Sequence, residues 1–351
     1  MAQNQLVLVT GVSGYLGSHI VDQLVKAGHR VRGTVRSSKV AANKQAFSIY
    51  GDAVEIFALD DLASGVFPEA FKGVDAVIHS AAPLATTVSA QEAIRASVDG
   101  SLNVFRQAEK AGVRRFSYAS SMAAVSSGFG MGDYTKVTAD NWAEVTMEQV
   151  LAEGAHPGVV YVGQKVLSER AVWEFAAEHP HIELLTVNPP YFYGPFAPAY
   201  KAYEGNSKTS DPIFSTMVFL YGLINAEDKA HVPNPFFVDV RDVARALVAG
   251  ALDSPPTSQF GKKRILLSAE WVQPSEILAL VRKERPALAG RLTDNFKDLP
   301  AEFKPVVDNA RLKEVLGFGV TPWQKTILDG LDDLLRVEEV WKKQGLEPQN
   351  S

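Results

Sequence analysis

The chain has 351 residues, 46% hydrophobic and 21% charged, with a formal net charge of -5. This is the balance of a soluble globular protein with ample material for a core, and its net negative charge disfavours nucleic acid and anionic membranes as partners. Cysteine is absent, which excludes disulfides, Cys-based zinc sites and thiol nucleophiles. No stretch approaches the roughly 20 apolar residues that span a bilayer, and the first residues carry no basic leader, so a cytoplasmic protein is expected.

In chain order, residues 6–10 read as a buried strand and 15–27 as a helix closed by Gly28. Strands are expected at 30–35, 54–59 and 76–79, with a short helical stretch at 68–72. A helix over 96–111 ends at Gly112, followed by a strand at 116–120, a long helix at 158–178 and a strand at 183–188. Strands separated by helices predict an α/β fold, a doubly wound parallel sheet of Rossmann type. Beyond Asn188 the pattern degrades at Pro189-Pro190. A helix is expected at 213–225, a strand turning into a helix at 236–250, a strand at 264–268 and mostly helix over 275–350. The predicted division is a nucleotide-binding domain over 1–188 and a smaller, mostly helical substrate lobe over 189–351, with some segments returning to the first.

Thr10-Gly11-Val-Ser13-Gly14-Tyr15-Leu16-Gly17 joins the first strand to the first helix. Glycines there allow a tight turn and let backbone N–H groups approach a pyrophosphate at the helix N-terminus, so these residues are expected to hold a dinucleotide. The second strand ends in Arg36, Ser37 and Lys39 with no acid before Asp52. A cation there pairs with a 2′-phosphate, whereas an acid would accept from a free ribose hydroxyl, so NADPH is the expected cofactor. Asp61 and Leu62 follow the third strand, where a carboxylate can accept from the adenine amino group. Ser80, Ala81 and Ala82 follow the fourth, where small side chains leave room for ribose. His79 reads as a packed strand-end histidine rather than a catalyst.

Tyr161 and Lys165 lie four residues apart, hence on one face of the long helix. A phenol is a poor acid–base group at neutral pH, and a neighbouring ammonium lowers its pKa. A carbonyl-polarising hydroxyl should complete the set. Ser120 and Ser121 end the fifth strand, at the sheet edge where ligands bind in such folds; Ser121 is preferred, but a one-residue slip would exchange them. No Gly-x-Ser-x-Gly elbow supports a hydrolase. Nor is a metal site expected.

Together these residues resemble the extended short-chain dehydrogenase/reductase family. Gly33-Thr-Val-Arg-Ser37, Asp140-Asn-Trp142 and Asn188-Pro-Pro-Tyr-Phe-Tyr-Gly-Pro195 are similar to the branch holding plant dihydroflavonol reductases and fungal aldehyde and ketone reductases. The resemblance implies Ser121, Tyr161 and Lys165 as catalytic set, with cofactor contacts from Pro189, Phe192 and Ser210. It implies reduction of carbonyl compounds, with the proton from Tyr161, by a monomer or homodimer. Aromatics in the irregular segments (Phe129, Tyr134, Tyr191, Tyr200 and Phe214, with Phe192) suggest a pocket for small neutral hydrophobic carbonyls. The rival reading is a nucleotide-sugar epimerase or dehydratase, which shares the Tyr-x-x-x-Lys pair but usually favours NAD. A non-catalytic dinucleotide sensor is a further alternative.

Overall fold

The computed structural model describes residues 4–82, 88–126, 137–200, 214–225, 231–300 and 306–346. Its strands are β1 (Leu6–Thr10), β2 (Arg30–Val35), β3 (Val54–Ala58), β4 (Ala76–His79), β5 (Arg115–Ala119), β6 (Glu183–Asn188), β7 (Tyr191–Tyr193), β8 (Phe237–Asp239) and β9 (Lys263–Leu266). Seven form one parallel sheet in the order β3-β2-β1-β4-β5-β6-β9, and β7 and β8 pair separately, also in parallel. The central strands are buried along their whole length because helices cover both faces, which is why Leu-Val-Leu-Val and Ala-Val-Ile run apolar without alternation. The order reverses between β1 and β4, and at such a switch point the strand ends diverge to leave a crevice.

The helices are α1 (Tyr15–Lys26), α2 (Val40–Phe47), α3 (Ala90–Lys110), α4 (Met147–Leu151), α5 (Pro157–Glu178), α6 (Met217–Gly222), α7 (Val240–Leu252), α8 (Thr257–Phe260), α9 (Pro274–Glu284), α10 (Ala310–Leu316) and α11 (Trp323–Lys343). On one face, Ile20 and Leu24 of α1 and Val243 and Leu247 of α7 pack on the sheet. On the other, Phe105 of α3 and Trp173 and Phe175 of α5 meet Phe116 and Leu184.

The expected strands recur within one residue at most ends. The helix expected from 96 begins at Ala90 instead, because Ser89 caps it by accepting from Glu92 N at 3.3 Å before its apolar stripe starts. Four short elements, α2, α4, α8 and β7, fall outside the expectations. Only Asn43 and Phe47 of α2 are buried, leaving little stripe to read, and β7 is three residues between prolines. The segment expected as helix over 213–225 is helical only from Met217, after Ser215 takes φ 48°.

A second core lies beyond the sheet, where Phe214, Met217, Tyr221, Ile277, Leu331 and Trp341 pack together. Phe214 is wholly buried, 5.6 Å from the Trp341 ring centre, so its expected place on a substrate pocket is corrected: the ring is part of the lobe's interior. The Phe237-Val-Asp-Val-Arg-Asp242 run ties this core to the sheet. Asp239 caps α7 by accepting from Arg241 N at 2.8 Å, pairs with the Arg241 guanidinium at 2.6 Å and accepts from Thr326 Oγ1 at 2.9 Å. Asp242 accepts from Thr321 N and Oγ1 on the approach to α11.

Candidate active site

At the end of β1 the chain turns through Gly11, at φ +75°, into α1. A Cβ on Gly11 would sit 3.0 Å from the Ala81 backbone, so the turn lies directly against the end of β4 at the switch point. A Cβ on Gly17 would stand 2.1 Å from Gly11 O and 2.9 Å from Val12 Cα, both backbone atoms that cannot swing away. The glycines therefore keep the α1 N-terminus tight on the strand, the arrangement that presents free N–H groups to a pyrophosphate. Accordingly, Gly17→Ala weakens dinucleotide binding by at least about tenfold, ~1.4 kcal/mol; titration of cofactor fluorescence checks this, and unchanged affinity would contradict the cradle. Within the glycine-rich run, Val12 and Tyr15 are packing members. Tyr15 is 2% exposed and donates from its hydroxyl to Gly194 O at 2.7 Å, so its ring joins the lobe core and only its backbone borders the cradle.

Thr10 and His79 lock the ends of β1 and β4 together. Thr10 Oγ1 accepts from Ser80 N and Ala81 N, both at 3.1 Å, and lies 2.9 Å from His79 Nδ1. Having accepted twice, the hydroxyl donates to Nδ1, which leaves the proton on Nε2, 3.3 Å from Ser101 Oγ. Burial, with a smaller contribution from the Lys165 charge, pushes His79 down to about 3. It is thus a neutral structural histidine, as expected for a packed strand end. Since the unfolded chain binds this proton more readily, the group's contribution is complete above its ordinary value of 6.5 and is lost as pH falls towards about 3. The melting temperature should therefore decline with acidification across that window, and more shallowly in His79→Asn. Equal slopes in the two proteins would contradict a buried neutral imidazole.

The end of β2 leaves Arg36, Ser37 and Lys39 exposed. Ser37 donates from N to Asp60 Oδ1 at 2.7 Å and from Oγ to Oδ2 at 2.5 Å, which lowers the Asp60 pKa and pins the turn beside Arg36. Arg32 points elsewhere. It pairs with Glu55 at 3.0 Å and donates to the carbonyls of Ala70 and Lys72 at 2.9 Å, so it is committed to holding the chain after β3. Asp61 is also engaged locally, accepting from Ala63 N and Ser64 N at 2.9 and 3.0 Å while remaining exposed.

Tyr161 and Lys165 share a face of α5, with Lys165 Nζ 5.8 Å from the centre of the Tyr161 ring. Lys165 reaches across to Ala119 O at the end of β5, at 3.5 Å, and Tyr161 packs against the cluster containing Ala123 and Ala124. The Tyr161–Lys165 pair and the strand end carrying Ser120 and Ser121 are thereby brought to one place. The two serines part ways. Ser120 donates to buried Glu169 at 2.7 Å, whereas Ser121 Oγ caps the turn Met122–Ala124 by accepting from Ala123 N at 3.1 Å, leaving its own proton to give. Tyr191 is half-buried, and burial followed by the proximity of Tyr161 raises its pKa. Its ring meets Phe219 edge-on at 5.4 Å. Phe192 lies beside Tyr15 at 5.8 Å, and Pro189 O accepts from Met122 N at 2.8 Å. Phe129, Tyr134 and Ser210 lie outside the described residues. Phe219 had not been singled out; three residues into a short helix, it gives no sequence signal of facing Tyr191.

A separate cavity of about 820 Å³ opens beside Phe236, Trp271, Val307 and Trp323, and none of Ser121, Tyr161 and Lys165 lines it. Among the described residues no group of three or more His, Asp or Glu could hold a metal, and no helix is long and apolar enough to cross a membrane.

Comparison with known proteins agrees with this fold. The ketoreductase adrE of Penicillium rubens is 30% identical over 339 residues, covering 92% of this chain and 95% of the relative. The NADPH-dependent methylglyoxal reductase of Saccharomyces cerevisiae is 27% identical, covering 95% of this chain and 98% of the relative. A crystal structure of the yeast methylglyoxal/isovaleraldehyde reductase complexed with NADPH shares the fold, with a TM-score of 0.76 at 24% identity across 97% of this chain and 99% of that one. The NAD dependent epimerase/dehydratase family matches residues 7–216, more than half the length, and the chain belongs to that family, the extended short-chain dehydrogenases/reductases.

Proposed function

We propose that the protein reduces aldehydes and ketones to alcohols with NADPH, using Tyr161, Lys165 and Ser121. The observation that carries this reading is the convergence of the Tyr161–Lys165 pair and the Ser121 hydroxyl at the sheet edge that also bears the glycine cradle. Gly11, Gly14 and Gly17 would take the pyrophosphate, and Arg36, steadied by the Ser37–Asp60 pairing, the 2′-phosphate. When bound, NADPH supplies the hydride. Ser121 donates to the carbonyl oxygen and polarises it, Tyr161 delivers the proton to that oxygen, and the Lys165 charge stabilises the phenolate left behind. Lys165 would also hold the nicotinamide ribose.

The choice of a reductase over an epimerase or dehydratase is supported by the reductase names of the relatives and by the cationic end of β2. Tyr191 and Phe219 offer an aromatic wall, and no arginine or lysine occurs from Pro189 to Tyr200 to fork a phosphate or carboxylate. The substrates are accordingly small, neutral and hydrophobic. NADPH consumption against aryl and alkyl ketones, α-keto esters, diketones and nucleotide sugars tests this. Faster turnover of nucleotide sugars than of every neutral carbonyl would reject the reading.

A further inference from the structure

Two turns below Tyr161 and one below Lys165, on the same face of α5, stands Glu169, fully buried and far from bulk water. Its carboxylate accepts from Arg264 Nε at 2.8 Å, Ser120 Oγ at 2.7 Å, Asn188 Nδ2 at 2.7 Å and Thr186 Oγ1 at 2.9 Å. Asn188 also donates to the main-chain oxygen of Ser121 at 3.1 Å. The Arg264 guanidinium, likewise buried, donates to the carbonyl oxygens of Ala124, at 3.2 Å, of Ala139, at 2.9 Å, and of Asn141. It also lies over the Trp142 ring, 3.8 Å from its centre. One ion pair thus touches α5, the ends of β5 and β6, β9 and the chain around Trp142.

Buried ion pairs seldom stabilise a protein more than well-packed apolar residues would, because desolvation of both charges offsets their attraction. What such a pair does supply is geometry: every donor around it has one satisfied direction. We infer that Glu169 and Arg264 are positioning residues that set Ser121 relative to Tyr161 and Lys165. Glu169 orients the strand end directly through Ser120 and, through Asn188, holds the Ser121 backbone. Arg264 fixes the chain after Ser121 through Ala124 and anchors it to the Asn141–Trp142 stretch. The inference rests on the catalytic assignment above, and it gives Trp142 and Asn188 roles that the chemistry alone leaves unassigned.

The test compares Glu169→Gln, Arg264→Lys and the paired apolar replacement Glu169→Leu/Arg264→Met with wild type, using NADPH and ethyl benzoylformate as probe. In variants that fold, kcat should fall by at least about tenfold, as misplacement of reacting groups does. NADPH affinity should stay within about threefold, so that the loss sits in kcat and not in binding. The deuterium isotope effect on kcat from NADPH deuterated at both C4 positions should rise, because the chemical step becomes slower than the others. A folded variant with kcat within about threefold of wild type overturns the inference. So does a rate loss matched by an equal loss of NADPH affinity, and so does failure of all three proteins to fold, which would make the pair purely structural. Ser121→Ala, measured alongside, separates the levels. Full activity there rejects the catalytic assignment itself, whereas loss there with none in the folded Glu169 and Arg264 variants rejects only their positioning role.

Discussion

Tyr161→Phe lowers kcat by about 10²–10⁴-fold, the usual worth of a positioned acid–base group, while NADPH affinity is nearly unchanged. The substitution removes one oxygen from a half-buried ring that packs on Ala123 and Ala124, so contact area and the Lys165 approach to the ring survive. What disappears is the proton delivered to the carbonyl oxygen. Single-turnover rates with saturating NADPH measure the loss without interference from product release. A rate within about tenfold of wild type would mean that another group, of which neighbouring Tyr191 is the first candidate, carries the proton.

Arg36→Ala lowers the ratio of kcat/KM for NADPH to that for NADH by about 10- to 100-fold, the range of a lost charge-assisted hydrogen bond to phosphate. The effect is confined to NADPH because the side chain is exposed and, although its charge acts on nearby Asp60, that carboxylate is hydrogen-bonded by Ser37. Exposure also makes the pairing sensitive to salt, so the ratio should narrow as ionic strength rises. Arg32 cannot substitute, since its guanidinium is occupied by Glu55 and by the carbonyls of Ala70 and Lys72. Persistence of the wild-type ratio would shift the 2′-phosphate contact to Lys39.

The parts of the fold that could be read in advance are those where one physical signal dominates. Apolar β1 and β4 read as strands because a parallel sheet covered on both faces demands unbroken hydrophobicity, and Gly28 and Gly112 read as helix ends because their φ values of +84° and +93° favour glycine. The Tyr-x-x-x-Lys pair was readable for the same reason: it needs only one helix. Ser120 and Ser121 could not be separated from sequence, because the decision lies with Glu169, 49 residues further along, which takes the Ser120 hydroxyl. The side chains of Tyr15 and Phe214 show the converse limit. An aromatic beside a cofactor loop or a cleft segment looks available to a ligand until long-range packing, here Gly194 for Tyr15 and Trp341 for Phe214, claims it. Buried pairs such as Glu169–Arg264 leave no periodic trace, since their partners sit 95 residues apart on different elements.

The most direct measurement follows the hydride itself. The protein is incubated with a neutral ketone and stoichiometric NADPH deuterated at both C4 positions, and the product is examined by NMR. Proposed as a carbonyl reductase, it should place one deuterium on the carbinol carbon for each NADPH consumed, on a single face, and Tyr161→Phe should slow the transfer by about 10²–10⁴-fold. Consumption without deuterium in the alcohol, or isomerisation of a nucleotide sugar with no net loss of reduced cofactor, would contradict it.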